Sequence, residues 1–449
     1  MKRTGILVLV LLVSACSGVQ KSQEQLADEI ENSLFDYIIE PWYPRCIDTI
    51  YGGYIPSFEY DWKLSDNSQV KALVHQTRHL WTTSFLYEHY PEHTEFLDYA
   101  NQGFQFIQKH FWDDEAGGCF NTVNRDGSVD SSSINEKRIY GQAFAINGLA
   151  QYYRVSKNKE ALDMAIRIFH WMNERAYDQE YGGYFEILNR DGSPVNETGE
   201  STIGDSPLTG LKEFNSSLHI LEAFTELYRA WPDSEMRAHL EEMYLQFRDT
   251  FIHPDGHLIL YFYPDWTPVP NEDMMKRSGN NAWYTQHITY GHDVETAFLL
   301  LEAAHALGLE KDEKMLSLSK KMVDHALETG WDDELGGFYY IGYKKEGVSS
   351  IHDPHKSFWV ESEGLNAIAL MHTMYPEDAM IYYDYLLTMW KYIDTYLVDK
   401  EYGGWYNFGL DNFPENAKHQ KSHNWKATYH DVRGMVRTVE MLRGENTIH

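Results

Sequence analysis

Phe111-Trp-Asp113-Asp-Glu-Ala-Gly117-Gly118-Cys119-Phe120 carries the pattern that decides the fold: an Asp, three residues, a Gly-Gly pair and an aromatic close behind. The same pattern stands at Asp48…Gly52-Gly53-Tyr54, Asp178…Gly182-Gly183-Tyr184, Asp332…Gly336-Gly337-Phe338 and Asp399…Gly403-Gly404-Trp405. A degenerate copy, Pro254-Asp-Gly256-His-Leu-Ile-Leu260, fills the wide gap in the middle. From Gly52 through 117, 182, 256 and 336 to Gly403 the steps are 65, 65, 74, 80 and 67 residues. Regular steps of this kind mean stacked copies of one supersecondary unit. Each Gly-Gly reads as a short β-hairpin or tight turn whose backbone suits only glycine.

Outward from these turns the chain is helical. Apolar residues at three- and four-residue spacing predict helices starting near residues 22, 67, 93, 138, 158, 213, 235, 290, 311, 356, 378 and 427. They come in pairs across brief polar breaks such as Val155-Ser-Lys-Asn-Lys159, and a long loop with its Gly-Gly follows each pair. The first helix has no partner before it and the last has none after it. Pairing those two closes a ring, so the expected fold is an all-α (α/α)6 barrel of six helical hairpins with short β-hairpins in the long loops. An open solenoid would carry polar capping faces at its ends. Here Ile38-Ile-Glu-Pro-Trp42 and Met435-Val-Arg-Thr-Val-Glu-Met-Leu442 are substantially apolar.

Of the 449 residues the first 15 read as an export signal: Lys2 and Arg3, then an apolar run from Gly5 to Ala15 too short to span a bilayer. Val13-Ser-Ala-Cys16 resembles a lipobox, which makes Cys16 the lipidated residue. The expected organisation is a signal over 1–15, a tether over 16–24 and one barrel domain over 25–445. The chain would then sit in the cell envelope, on the outer membrane, held only by that lipid anchor. A formal charge of −30 argues against nucleic acid or anionic lipid as a partner. Only Cys46 and Cys119 remain after Cys16, which excludes a disulfide framework and a zinc ribbon. An aromatic content of 15%, with 13 Trp and 32 Tyr, suits a cleft that stacks the apolar faces of sugars.

In such a barrel the six helices that follow the long loops start at the same end of the inner ring, so their first turns converge on one cavity. Those positions hold Arg78, Tyr140, Asn215 with His219 and Glu222, His292 with Glu295, Trp359 with Glu363, and Trp425 with His430. Every inner helix supplies at least one residue able to bind or catalyse. His292 and Glu295, three apart in Tyr290-Gly-His-Asp-Val-Glu295, share one helix face. An imidazole beside a carboxylate suits proton transfer near neutral pH.

The same residues carry a resemblance to a known family. Lys212-Glu-Phe-Asn215-Ser-Ser-Leu-His219-Ile-Leu-Glu222-Ala resembles the N-x-x-x-H-x-x-E-A motif of the N-acylglucosamine 2-epimerase superfamily, and its cellobiose (mannobiose) 2-epimerase branch is the most similar. Tyr290-Gly-His292-Asp-Val-Glu295 matches that branch's YGHDxE, and Trp425…His430…Arg433 its C-terminal segment. Tyr140-Gly-Gln142 and Gln76-Thr-Arg78 fit as well. Where the branch reads Lys-x-Trp-Trp-x-Gln-Ala-Glu, this chain has Lys356-Ser-Phe358-Trp359-Val-Glu361-Ser362-Glu363, which bears on the preferred sugar. The resemblance implies C2 epimerisation of the reducing-end aldose of a β-1,4-linked disaccharide, by a monomer, through a cis-enediolate and without metal or other cofactor. It implies His292 and His430 as the two acid/bases, Glu295 orienting His292, His219 with Glu222 assisting ring opening, and Arg78 stabilising the enediolate oxygen. Tyr140, Asn215, Trp359, Glu363 and Trp425 would bind the sugar. An N-acylglucosamine 2-epimerase or an aldose-ketose isomerase of the same superfamily is the alternative.

Three other readings use the same residues differently. An (α/α)6 glycoside hydrolase would draw paired carboxylates from Glu222, Glu295 and Glu363. A metalloprotein would use His219-x-x-Glu222 and His292-x-x-Glu295 as four ligands, loosely like di-iron bundles. A glycan-binding lipoprotein would use the aromatics and leave His292 and His430 without a task.

Overall fold

A computed structural model describes residues 21–66, 69–195, 210–278 and 285–445. The expected signal and Cys16 lie outside those residues. Ser22 caps α1 (Gln23–Ser33) in a reciprocal capping box with Gln25, so the first helix begins two residues inside the expected tether. A π turn (Leu34–Ile39) carries it on into the short α2 (Glu40–Trp42). The remaining helices are α3 (Leu73–His89), α4 (Glu95–His110), α5 (Ile139–Ser156), α6 (Lys159–Arg175), α7 (Phe214–Ala230) and α8 (Ser234–Gln246). After them come α9 (Asn271–Ser278), α10 (Tyr290–Leu307), α11 (Glu313–Gly330), α12 (Phe358–Met374), α13 (Ala379–Tyr392) and α14 (Tyr429–Leu442). The twelve expected helices are all present. The extra α9 lies in the long loop before α10.

Helices α3, α5, α7, α10, α12 and α14 form the inner ring, each packed on the next, and α14 returns to α3. They are buried on nearly every face, as befits helices enclosed on both sides. Outer helices α4, α6, α8, α11 and α13 each pack on an inner one and show one apolar stripe, while α1 packs on α14 and closes the ring. At that joint Arg443, just past the end of α14, donates from Nη2 to Asp28 at 2.9 Å and to Glu31 at 2.8 Å on α1. Arg443 Nε also lies 3.7 Å from Glu24, so the first turn of α1 too lies near the C-terminal end of α14. Among the described residues no helix is long and apolar enough to cross a membrane.

The Gly-Gly segments are tight turns with one design. In the second copy Asp113 N–H donates to Gly118 C=O at 2.9 Å, Gly117 N–H donates to Asp113 C=O at 2.8 Å, and the Asp113 carboxylate accepts from Glu115 and Ala116 N–H. Gly117 and Gly118 have φ of +74° and +66°, and a Cβ on either would fall within 3.0 Å of the Trp171 ring. Glycine is therefore required twice over. A single β-bridge flanks each turn, for example Trp112↔Cys119. The short strands do something else: they stitch neighbouring units. β1 (Lys71–Ala72) pairs with β2 (Thr122–Val123), β3 (Glu136–Arg138) with β4 (Ile187–Asn189), and β5 (Lys212–Glu213) with β6 (Tyr261–Phe262). β7 (His287–Ile288), β8 (Ile341–Lys345) and β9 (Val348–Asp353) form one three-stranded sheet. Because β1 occupies 71–72, α3 starts six residues later than its apolar pattern predicts.

Each full turn is pinned by a buried lysine. Lys71, Lys137, Lys212, Lys356 and Lys421 donate to Asp48, Asp113, Asp178, Asp332 and Asp399 at 2.5–3.1 Å, with the lysine side chains 0–1% exposed. The first four sit immediately before an inner helix, so the ion pair fixes the turn to the start of that helix. Glutamines on the inner helices add a second clamp. Gln76 accepts from Tyr54 N–H and donates to Tyr54 C=O, both at 2.8 Å, and Gln142 does the same for Cys119. On α12 the clamp is Glu361, which accepts from Phe338 N–H at 3.1 Å.

Candidate active site

The first turns of the six inner helices surround a cavity of about 300 Å³. Its lining takes Arg78 from α3, Tyr140 from α5, Asn215 and His219 from α7, His292 and Glu295 from α10, and Trp359 from α12. His430 comes from the start of α14, and Trp425 from just before it. The positive ends of six helix dipoles thus point at one space, which favours negative charge there.

Arg78 is held by donating from Nη1 to Trp425 C=O and from Nη2 to the Tyr140 hydroxyl, both at 3.0 Å, with its guanidinium over the Phe144 ring. Trp425 is 41% exposed, so it forms the mouth of the cavity and not its floor. His292 lies between the rings of Phe214, at 4.9 Å and edge-on, and Trp359, at 4.7 Å. Trp359 also faces His430, with ring centroids 5.7 Å apart. Both imidazoles therefore border one indole.

Behind the cavity, Arg433 on α14 gathers three carboxylates from three other helices. Nη1 donates to Glu222 at 2.5 Å and to the Tyr429 hydroxyl at 2.6 Å; Nη2 donates to Glu363 at 2.6 Å and to Glu295. All are buried. Glu222 also pairs through Oε2 with His219 Nδ1 at 2.9 Å, and Glu363 Oε1 lies 2.5 Å from His430 Nδ1. Charge-assisted hydrogen bonds of this kind are the strong ones, and in a buried site every partner counts.

This arrangement sets the protonation states. Burial pushes the His292 imidazole down to about 3, assisted by the positive Arg78 and by His219. Burial, then Arg78 and Arg433, hold His430 well below the usual imidazole range. Both rings are neutral at pH 7 and each has a nitrogen free of a proton, as a general base requires. For Glu222 burial works upward, but Arg433 and His219 outweigh it and hold the group at about 2. Glu363 goes the other way: burial, then the negative Glu295 and Glu222, raise it well above the carboxylate range although Arg433 opposes.

The structure brings together nine of the eleven expected site residues around the cavity; Glu222 and Glu363 stand behind it, at the Arg433 hub. Two expected contacts differ. No hydrogen bond joins Glu295 to His292, whose Nδ1 has no partner among the described residues. Spacing of three residues puts them on one face, but the guanidinium of Arg433 is the stronger partner and takes the carboxylate. Glu363, expected to bind sugar, instead holds His430. Of the three departures from the branch pattern, Phe358 lines the cavity, while Glu361 clamps Phe338 and Ser362 donates to His430 C=O at 2.6 Å.

Sequence reading passed over Tyr340, Ile341, Asn407 and Phe408, which also line the cavity. They stand three and four residues after the second glycine of their turns, at Gly337 and Gly404. That offset was readable, since the turn reverses the chain toward the mouth. Arg433 and Tyr429 were missed as functional residues because their partners are 70 to 211 positions away or on the far side of a helix turn.

The family model described as N-acylglucosamine 2-epimerase matches residues 53–433. A cellobiose 2-epimerase of Bacteroides fragilis is 28% identical, covering 91% of this chain and 97% of its own. A D-mannose isomerase of Marinomonas mediterranea is 24% identical over 89% of this chain and 94% of its own. Among solved structures, a cellobiose 2-epimerase from Spirochaeta thermophila superposes with a TM-score of 0.79 at 28% identity, covering 95% of this chain and 99% of that one. A family 76 glycoside hydrolase from Bacteroides thetaiotaomicron shares the fold alone, at 13% identity and a TM-score of 0.61, covering 94% of this chain and 79% of that one.

Proposed function

We propose a reaction from one premise: the chain belongs to the N-acylglucosamine 2-epimerase family. It is a carbohydrate epimerase or isomerase acting on a saccharide. The proposed reaction is inversion at C2 of the reducing-end aldose of a β-1,4-linked disaccharide of the cellobiose or mannobiose type. The single observation that carries this reading is the pair His292 and His430, both neutral and both bordering Trp359 in one cavity. Epimerisation needs the hemiacetal opened, the C2 proton removed from one face and a proton delivered to the other. His292 and His430 act as the two acid/bases. Arg78 stabilises the enediolate oxygen, together with the converging helix ends. His219, held by Glu222, assists ring opening, while Tyr140, Asn215 and Trp359 bind the sugar and Trp425 covers its outer part. All of these residues come from one chain, so the monomer suffices.

The geometry disfavours two rivals. The carboxylates a hydrolase would need are committed to Arg433, and that guanidinium already donates to both carboxylates of the Glu295, Glu363 and His430 cluster that a metal ion would use. Production of a ketose is a second reading, favoured by the likeness to a D-mannose isomerase and by Phe358 in place of the branch's Trp. One experiment separates them. The chain is incubated with cellobiose, mannobiose, N-acetylglucosamine and free hexoses in D2O and C2 is followed by NMR. Deuterium at C2 with inversion supports the proposal, a C2 carbonyl supports the ketose reading, and no exchange with any aldose sinks both.

Attachment to the envelope through Cys16, on the periplasmic or surface side, belongs to the same proposal, supported by Lys2-Arg3, the apolar run and Val13-Ser-Ala-Cys16. Expression of the full chain with Cys16→Ala should release it from the membrane fraction; an unchanged distribution counts against the anchor.

A further inference from the structure

The two histidines are not equivalent. His292 packs between the rings of Phe214 and Trp359, and among the described residues no carboxylate is hydrogen-bonded to it and its Nδ1 has no hydrogen-bond partner. His430 has Glu363 Oε1 at 2.5 Å from Nδ1, and both groups are buried, the Glu363 side chain completely. With Nδ1 engaged, Nε2 is the nitrogen of His430 left for the cavity.

We infer that Glu363 is a proton store acting through His430: it rests as the carboxylic acid, and when Nε2–H of His430 delivers its proton to C2 of the enediolate, the Glu363 proton moves to Nδ1. This rests on the epimerase reading above. The Nε2–H bond breaks and its electron pair stays on the ring, while the enediolate pair forms the new C2–H bond. The O–H bond of Glu363 breaks, its pair stays on the carboxylate, and that proton bonds to Nδ1. Imidazole is neutral before and after, and Glu363 passes from carboxylic acid to carboxylate. Removal of the C2 proton by His430 reverses each transfer.

Three features of the surroundings favour this over an imidazolium. First, the positive groups facing His430 are Arg78 from α3 and Arg433 from its own helix, and both oppose a charged ring. His219 on α7 and His292 on α10 oppose it further, and Tyr429 stands edge-on beside it. Second, one guanidinium serves three carboxylates, Glu222 from α7, Glu295 from α10 and Glu363 from α12. One of the three is therefore the natural seat for a proton. Third, burial and the other two carboxylates raise Glu363, whereas Glu222 is held at about 2. A carboxylate that merely orients a histidine shows the opposite arrangement, as in the serine-protease triad, where the acid stays ionised.

Glu363→Gln separates the two roles. The amide still accepts from Arg433 through its oxygen and donates to Nδ1 through its NH2, so the tautomer and the hub survive, but it gives up no proton. The relay predicts that kcat falls at least about 100-fold, the scale of one acid/base group. KM stays within about threefold, and the basic limb of kcat/KM moves to lower pH, because the donor must then be a protonated ring that forms only there. Glu363→Asp, which keeps the acid, should recover part of kcat. Glu363→Gln with kcat within about threefold of wild type and an unmoved limb would overturn the relay. Should Glu363→Gln fail to fold, side-chain 15N NMR of the wild-type chain decides it. On acidification His430 should pass from the Nδ1–H to the Nε2–H tautomer while staying neutral; an imidazolium signal overturns it. That titration needs no turnover, so it stands even if no aldose exchanges at C2, a result that would sink the epimerase reading instead.

Discussion

Nη1 of Arg433 lies 2.5 Å from Oε1 of Glu222, although the two are 211 positions apart in the chain and 3% and 5% exposed. The pair ties α14, the last inner helix, to α7, halfway round the ring. Removing one member of a buried ion pair leaves uncompensated charge and costs about 3–5 kcal/mol. Arg433→Gln should lose stability on that scale in urea unfolding followed by circular dichroism. A change below about 1 kcal/mol would show that the hub does not hold the ring together.

Loss of either histidine should act on chemistry and leave the fold intact. His292→Ala and His430→Ala should each lower C2 exchange by about 10²–10⁴-fold. Their melting temperatures should stay within a few degrees of the wild type. Near wild-type exchange by either variant would remove that residue from the acid/base pair.

Stability should fall on the acid side of neutrality, with His292 contributing. Its folded-state value is lowered to about 3, against about 6.5 in the unfolded chain. Between those values the unfolded state binds more protons, so stability rises with pH and falls as pH drops from about 6.5 toward 3, by up to ~1.4 kcal/mol per pH unit for this group. Glu222, lowered to about 2, adds stability that is present above its unfolded value near 4.3 and is lost as pH falls through about 2. Urea midpoints from pH 7 to 4 should therefore slope less steeply in His292→Gln than in the wild type. Parallel slopes would place the proton uptake on other groups.

The lysine pins should matter more than their position before a helix suggests. Lys356 Nζ lies 2.6 Å from Asp332 and 2.9 Å from Gly336 C=O, with the side chain 0% exposed. Lys356→Met leaves the buried Asp332 carboxylate without its cation, with neutral donors from Tyr339 and the backbone, and should cost about 3–5 kcal/mol. Fraying should concentrate in the turn at 332–338, read as faster amide exchange there than in the other four turns.

Trp425 should govern binding and not turnover. Its exposed ring at the mouth touches the outer sugar in the proposed pose, and removing a contact worth about 1.4 kcal/mol raises KM about tenfold. Trp425→Ala should do this for a disaccharide and much less for a free hexose, with kcat little changed. Equal effects on both sugars would place the ring over the reacting residue instead.

How much of this was legible in the sequence depends on the range of the interaction. The Gly-Gly turns, the paired helices and the closed ring follow from local patterns, and so does the convergence of Arg78, Tyr140, His219, His292 and His430. His219 with Glu222 was readable because the partners are one helix turn apart. His292 with Glu295 has the same spacing and is not a pair, since α14 delivers a guanidinium that no local pattern announces. Likewise the Lys71 and Lys137 type of residue reads as a solvated charge near a helix start, whereas the turn folds back and buries it. His430 with Glu363 joins the consecutive inner helices α14 and α12 at facing turns, and no local spacing relates residues 67 positions apart.

The joint between α1 and α14 fixes more than the closure of the ring. Inner helices begin at the cavity and outer helices run the opposite way, and Arg443 with Glu24, and His372 in the last turn of α12 with Gln23, place the start of α1 beside the far ends of α14 and α12. Gln23 therefore emerges from the floor of the vessel, across the full height of the barrel from Trp425 at its rim. An attachment made through the residues before Gln23 would leave the barrel at the end opposite the opening and keep the way into the cavity clear.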